Sequence, residues 1–122
     1  MEGTRGTGQR GEALAAEFLT RHGFRILAMN YRHHRKEIDI IVSGEGFVVF
    51  VEVKFRSGDR FGGPLAAVDP RKQRAIAACA RGFLHERRLA DLPCRFDVVG
   101  ILQDGARPPR IEHIRDAFRA PV

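Results

Sequence analysis

Residues 37–55 read Glu37-Ile38-Asp39-Ile40-Ile41-Val42-Ser43-Gly44-Glu45-Gly46-Phe47-Val48-Val49-Phe50-Val51-Glu52-Val53-Lys54-Phe55. Two runs rich in β-branched and aromatic residues flank a Ser-Gly-Glu-Gly turn. This predicts two strands, Glu37–Val42 and Phe47–Phe55, paired as a hairpin with the second strand central in a sheet. Asp39 interrupts the first run, and Glu52 and Lys54 interrupt the second. Side chains alternate along a strand, so Glu52 and Lys54 share one face, and hairpin pairing lets Asp39 lie beside them. A carboxylate buried without a partner costs several kcal/mol or shifts its pKa until it is neutral. Clustered carboxylates in apolar strands therefore call for a bound cation, a lysine, or both.

Upstream, residues 1–11 hold four glycines and read as a flexible lead-in. From Glu12 a helical stripe forms through Ala15, Ala16, Phe18 and Leu19, with Gly23 as its stop. Glu12 sits along that stripe, so a helix packed on the carboxylate-bearing face would bring it to the same site. Phe24–Tyr31 reads as a first strand, and Arg32–Lys36 as a short basic connection. Downstream, Arg56–Leu65 is a polar loop with Gly58, Gly62, Gly63 and Pro64, and Phe61 near its tip. Asp69-Pro70 starts a second helix, which should run to about Arg87 with Ile76, Cys79, Ala80, Phe83 and Leu84 on its apolar face. Arg95–Leu102 and Arg110–Ile114 read as the fourth and fifth strands, and Asp116–Phe118 as a closing helical turn. The order α-β-β-β-α-β-β predicts an α/β fold. It is a single domain over residues 12–118, a mixed sheet of about five strands flanked by helices.

The chain has 122 residues and a net charge of +6, enough length for one domain with its own core. It has no run approaching the ~20 apolar residues of a membrane span and no signal-peptide core, so no membrane is expected. Cys79 and Cys94 lack metal-type spacing and make no disulfide framework, which suits a reducing cytoplasm. The basic balance points to a polyanionic partner, nucleic acid before membrane.

Asp39 and Glu52, with the Val53 carbonyl, suit a hard divalent cation, Mg²⁺ or Mn²⁺. The reaction such a set permits is phosphodiester hydrolysis, with Lys54 orienting water and offsetting developing charge. Alone, an E-x-K pair on a strand is usually a solvated ion pair. The combination with Glu12 and Asp39 favours a site. The basic run Arg32-His33-His34-Arg35-Lys36, with Lys54, Arg56, Arg60, Arg71, Lys72 and Arg74, and the polar Gln73, are candidate nucleic-acid contacts around it, mostly to the backbone. Asp97 is read as a structural ion-pair partner of Arg95 or another arginine, ahead of a supporting place at the metal site.

Gly11-Glu12, Asn30-Tyr31-Arg32, Glu37-Ile38-Asp39-Ile40-Ile41, Phe50-Val51-Glu52-Val53-Lys54-Phe55-Arg56, Val68-Asp69 with Lys72, and Arg95-Phe96-Asp97-Val98-Val99 together resemble the YraN family of bacterial proteins. The resemblance covers roughly residues 8–115. It implies a restriction-endonuclease-like, PD-(D/E)XK core similar to archaeal Holliday-junction resolvases. Asp39, Glu52 and Lys54 then fall on the catalytic motif, and Glu12 on the helical glutamate of the resolvase-like branch. Lys36 departs from the family, where a glycine usually precedes the Glu-Ile-Asp segment. The expected function is a metal-dependent endonuclease acting on DNA, branched or structured DNA included, and a symmetric dimer would suit a two-strand substrate. The alternatives are a non-catalytic nucleic-acid-binding module of the same fold and a protein-interaction domain with a structural acidic cluster.

Overall fold

A computed structural model describes residues 2–57 and 65–122, with side chains from Gln9 onward. Two positive-φ residues close the predicted hairpin: Glu45 (φ 56°) and Gly46 (φ 86°) form a two-residue turn. A turn of this hand follows the twist of the strands it joins. It connects β2 (Lys36–Gly44) to β3 (Phe47–Ser57), which pair antiparallel from Gly44↔Phe47 to Ile40↔Val51. β1 (Arg25–His33) pairs antiparallel on the outer side of β2. β4 (Cys94–Gln103) runs parallel to β3, and β5 (Arg110–Phe118) returns antiparallel on β4. The sheet order is β1-β2-β3-β4-β5. A parallel pair needs a crossover, and α2 (Pro70–Glu86) supplies it.

Alternation along β3 divides the core in two. Phe50 packs with Ile41, Ile76, Phe83 and Phe96 on the α2 side. Val49 and Val51 pack with Ala15, Leu19 and Val99 on the other face, under α1 (Glu2–Arg21). The architecture is the expected one, a single mixed α/β domain whose five strands are flanked by two helices, consistent with a restriction-endonuclease-like core. No helix among the described residues is long and apolar enough to cross a membrane.

The second helix begins as its sequence requires. The Asp69 carboxylate accepts from the Arg71 N–H at 2.8 Å, and Pro70 takes the first helical position. Three places differ from expectation. The connection read as Arg32–Lys36 is only His34-Arg35, because the antiparallel pairing of β1 and β2 continues through Arg32↔Glu37 and His33↔Lys36. Helical backbone starts at Glu2 rather than Glu12, so the expected lead-in over residues 1–11 is helical from its second residue. Glycine costs ~1 kcal/mol per residue in a helix, which hid this start. At Gly11 α1 lies directly on the sheet: a Cβ there would make ordinary contact with Phe55 at 3.6 Å. At the other end, Asp116–Phe118 is not a helical turn. β5 continues to Phe118, which pairs with Phe96 beyond a register shift, and Asp116 takes φ 53° in the irregular stretch. The polar loop expected over Arg56–Leu65 lies largely in residues 58–64, and Arg60 and Phe61 with it, outside the described residues.

Candidate active site

The site forms where β2 and β3 stop pairing. The last paired residues are Ile40 and Val51. One step beyond, the Val53 N–H donates to the Asp39 Oδ2 at 2.8 Å, so a carboxylate stands where a continuing ladder would place a carbonyl. Burial pushes the Asp39 carboxyl up to about 7, and the neighbouring Glu52 charge pushes the same way. The Val53 hydrogen bond pulls it down, and Glu12 adds a smaller upward push. Two carboxylates that resist ionising together are held within one small volume.

Glu52 is 8% exposed. Its Oε2 lies 2.6 Å from the Lys72 Nζ, which reaches it from the first turn of α2. Burial works against the Lys72 charge, but the Glu52 hydrogen bond and the surrounding carboxylates win and hold its pKa above the ordinary lysine value. Lys54 follows Glu52 on the same face, as alternation requires, and its ammonium donates to the Ala67 carbonyl. Burial lowers the Lys54 pKa, and Arg56 and Lys72 lower it further against the pull of Glu52.

Glu12 approaches from the other side. α1 packs on the face opposite α2, so Glu12 does not share the Glu52–Lys54 face as expected. It comes in at the splayed edge instead, where Asn30 holds it: the Asn30 Nδ2 donates to Glu12 Oε1 at 2.8 Å and to Glu37 Oε2 at 3.2 Å. Asn30 takes φ 50° to do so. Neither Asn30 nor Glu37 was a site candidate from spacing, and nothing in the strand pattern marked them, because the link depends on a left-handed residue inside β1. Lys72 was expected to touch nucleic acid and is here the direct partner of Glu52.

The remaining basic candidates are spread more widely. Arg35 and Lys36 are exposed at the β1–β2 connection, and the Arg32 Nε lies 3.6 Å from Glu37 Oε1. Arg56 extends from β3 beyond Lys54. Gln73 turns its amide to the Val68 carbonyl at 2.8 Å, closing the start of α2.

Among the described residues, no group of three or more His, Cys, Asp and Glu side chains is arranged to hold a metal ion. The donor chemistry at Asp39 and Glu52 nonetheless fits a hard cation: two carboxylates whose charges bear on each other, one nearly out of solvent and the other driven toward neutrality by burial and by its neighbour. A cation there would compete with Lys72 for Glu52.

Asp97 belongs to a separate network on the α1 face. It is fully buried, takes both bonds of the Arg95 guanidinium at 2.9 Å, and accepts from the Asp116 N–H at 3.0 Å. His113 Nε2 lies 2.7 Å from its Oδ2. Burial alone would raise the Asp97 pKa, but the bonds from His113 and Arg95 hold it below the ordinary aspartate value. The expected ion pair with Arg95 is present, and His113 joins it from β5 while Arg95 also pairs with Glu45 at 3.0 Å.

The model of "Uncharacterised protein family UPF0102" matches residues 11–101, which contain Glu12, Asn30, Asp39, Glu52, Lys54 and Lys72. A UPF0102 protein of Chlorobium limicola is 44% identical over 116 residues, covering 91% of this chain and 90% of the relative. One of Geotalea daltonii is 47% identical over 111 residues, covering 91% of this chain and 87% of the relative. A third, of Methylococcus capsulatus, is 42% identical over 114 residues, covering 93% and 91%. With a match of this length and relatives this similar end to end, the chain belongs to the UPF0102, or YraN, family.

Proposed function

We propose that the chain is a metal-dependent endonuclease that hydrolyses phosphodiester bonds in DNA, branched or structured DNA included. The observation that supports this reading is the half-buried Asp39 beside the buried Glu52, with Lys54 and Lys72 around them at the divergence of β2 and β3. Asp39 and Glu52 are the residues that would hold Mg²⁺ or Mn²⁺, with the Val53 carbonyl as a further oxygen. When bound, such a cation supplies Lewis acidity and lowers the pKa of a coordinated water. Lys54 provides positive charge beside the attacking water and the developing phosphorane. Lys72 neutralises Glu52 in the free protein, and its ammonium would be free to meet a phosphate oxygen if Glu52 held a cation instead. Glu12, fixed by Asn30, adds negative charge at the Asp39 end and favours cation capture there.

The test is a cleavage screen over duplex, flap, single-stranded and four-way-junction DNA with Mn²⁺, repeated with Asp39→Asn and Lys54→Ala. Cleavage by the parent, lost in both variants while Asp39→Asn alone loses Mn²⁺ affinity, fits the reading. No cleavage and no Mn²⁺ binding by the parent rejects it. One observation favours a second reading, a non-catalytic nucleic-acid-binding module. The Lys72 ammonium already neutralises Glu52 at 2.6 Å, as a resident cation would. Mn²⁺ calorimetry separates the two.

A further inference from the structure

Lys72 turns toward Glu52, but α2 carries further basic residues on its other faces. Along Pro70–Glu86 the basic residues are Arg71, Lys72, Arg74, Arg81 and His85, and the only acidic one is Glu86. Glu86 is engaged elsewhere, accepting from the Tyr31 hydroxyl at 2.7 Å. Gln73, Arg74, Ala77 and Arg81 fall at helical i, i+1, i+4 and i+8 positions. They form one wall of a groove of about 340 Å³ whose other wall is the segment after β5, with Arg119 and Pro121. Arg81 is fixed there by donating to the Pro121 carbonyl at 3.1 Å, which leaves the rest of its guanidinium unspent. Arg119 pairs with Asp116 at 3.0 Å, and Arg74 has no ion pair among the described residues. Three guanidinium groups thus face a groove whose lining contains no carboxylate.

We infer that this groove binds the phosphate backbone of a nucleic-acid arm leading away from the candidate site, with Arg74 and Arg81 as its principal contacts. The inference rests on the reading of the chain as a nucleic-acid-acting protein, and it adds where the substrate beyond the scissile bond lies. Lys72, at the site, and Arg81, at the far end of the groove, are nine positions apart on α2, or ~14 Å along the axis. That is the span of about four nucleotide steps at ~3.4 Å each. Planar guanidinium groups suit this work, because each can take two phosphate oxygens at once. A contact of this kind positions the duplex and carries no base preference. It also gives α2 two roles from two faces: Lys72 turned toward Glu52, and the arginine stripe turned toward the rest of the substrate.

The test compares the full chain with two paired variants of equal charge loss. Arg74→Gln with Arg81→Gln alters the groove. Arg21→Gln with Arg25→Gln alters the far end of α1 and the start of β1. Binding of a fluorescein-labelled duplex and of a four-way junction is followed by anisotropy across ~50–200 mM salt. The groove pair should weaken binding about tenfold at low salt and reduce the log–log salt slope by about 2, and the control pair should change neither comparably. Parent-like binding by the groove pair overturns the inference and leaves the nuclease reading standing. Equal losses in both pairs also overturn it, since a general charge effect then suffices. A parent that binds neither DNA at low salt removes the inference and the reading together. Weaker binding to phosphatidylserine vesicles with unchanged DNA binding would assign the groove to membranes and overturn it. Should the groove pair melt early, Arg74→Gln alone carries the test with a slope change of about 1, because that side chain supports no ion pair in the fold.

Discussion

The Lys72 ammonium lies 2.6 Å from the Glu52 carboxylate and so ties the first turn of α2 to the central strand. Glu52 has almost no access to water, and without that partner its charge is left uncompensated. Lys72→Met in chelator-treated protein should lose about 2 kcal/mol of stability in urea titration. Mn²⁺ should then stabilise Lys72→Met more than it stabilises the parent, because it no longer competes with the ammonium. A variant that loses stability and gains nothing from Mn²⁺ would count against a cation at Glu52.

Asp39 gives a pH signature. Its folded-state pKa is raised to about 7, by burial first and by Glu52 second. Between the ordinary aspartate value and about 7, the folded chain keeps a proton that the unfolded chain has released. Stability therefore falls as pH rises through that window. Asp39→Asn keeps an acceptor for the Val53 N–H and removes the charge. Without metal it should melt several degrees above the parent near pH ~8 and level with it near pH ~4. An equal gain at both pH values would trace the effect to packing instead.

Asp97 works in the opposite sense. Its pKa is held down by His113 and Arg95 against burial, so its contribution is present above the ordinary aspartate value and lost as pH falls through its lower folded-state value. Asp97→Asn leaves the Arg95 charge short of a buried partner and should cost about 3 kcal/mol at neutral pH. The Asp39 and Asp97 substitutions should thus shift the denaturation midpoint in opposite directions at pH ~8.

Gly82 sets two effects against each other. Alanine would favour the helix by about 1 kcal/mol. Its Cβ, however, would meet the His33 ring at 2.7 Å, and that ring is backed by His34 at a centroid distance of 4.4 Å. Overpacking of this kind costs roughly 1–3 kcal/mol, so Gly82→Ala should be net destabilising. Adding His33→Ala should recover most of the loss. A thermal double-mutant cycle with no coupling would show that the β1–β2 hairpin yields to α2 at no cost.

The hairpin and its acidic residues were legible because period-two alternation is local: Glu52 and Lys54 share a face whatever surrounds them. The cap of α2 was legible for the same reason, since Asp69-Pro70 acts within one turn. Long-range placement was not. Lys72 meets Glu52 only because α2 packs over β2 and β3, and nothing in Arg71-Lys72-Gln73 says which of the three turns inward. The Glu12 charge bears on Asp39, but α1 covers the opposite face of the sheet from the one expected, because amphipathicity does not say which side of a sheet a helix covers. The end of β5 was missed for a subtler cause. The Asp116 N–H is drawn to the Asp97 carboxylate at 3.0 Å, a bond between residues 19 positions apart that makes the strand irregular without ending it.

Asn30 limits what that position in β1 accepts. Its left-handed backbone admits glycine, asparagine and aspartate with little penalty and penalises most other residues. Glycine would keep the backbone and leave Glu12 and Glu37 without the amide that joins them. Aspartate would keep the backbone and set a third anion between two others. Asparagine alone meets both demands, so a library randomised at this codon and sorted for folding should return glycine beside asparagine, whereas one sorted for function should return asparagine.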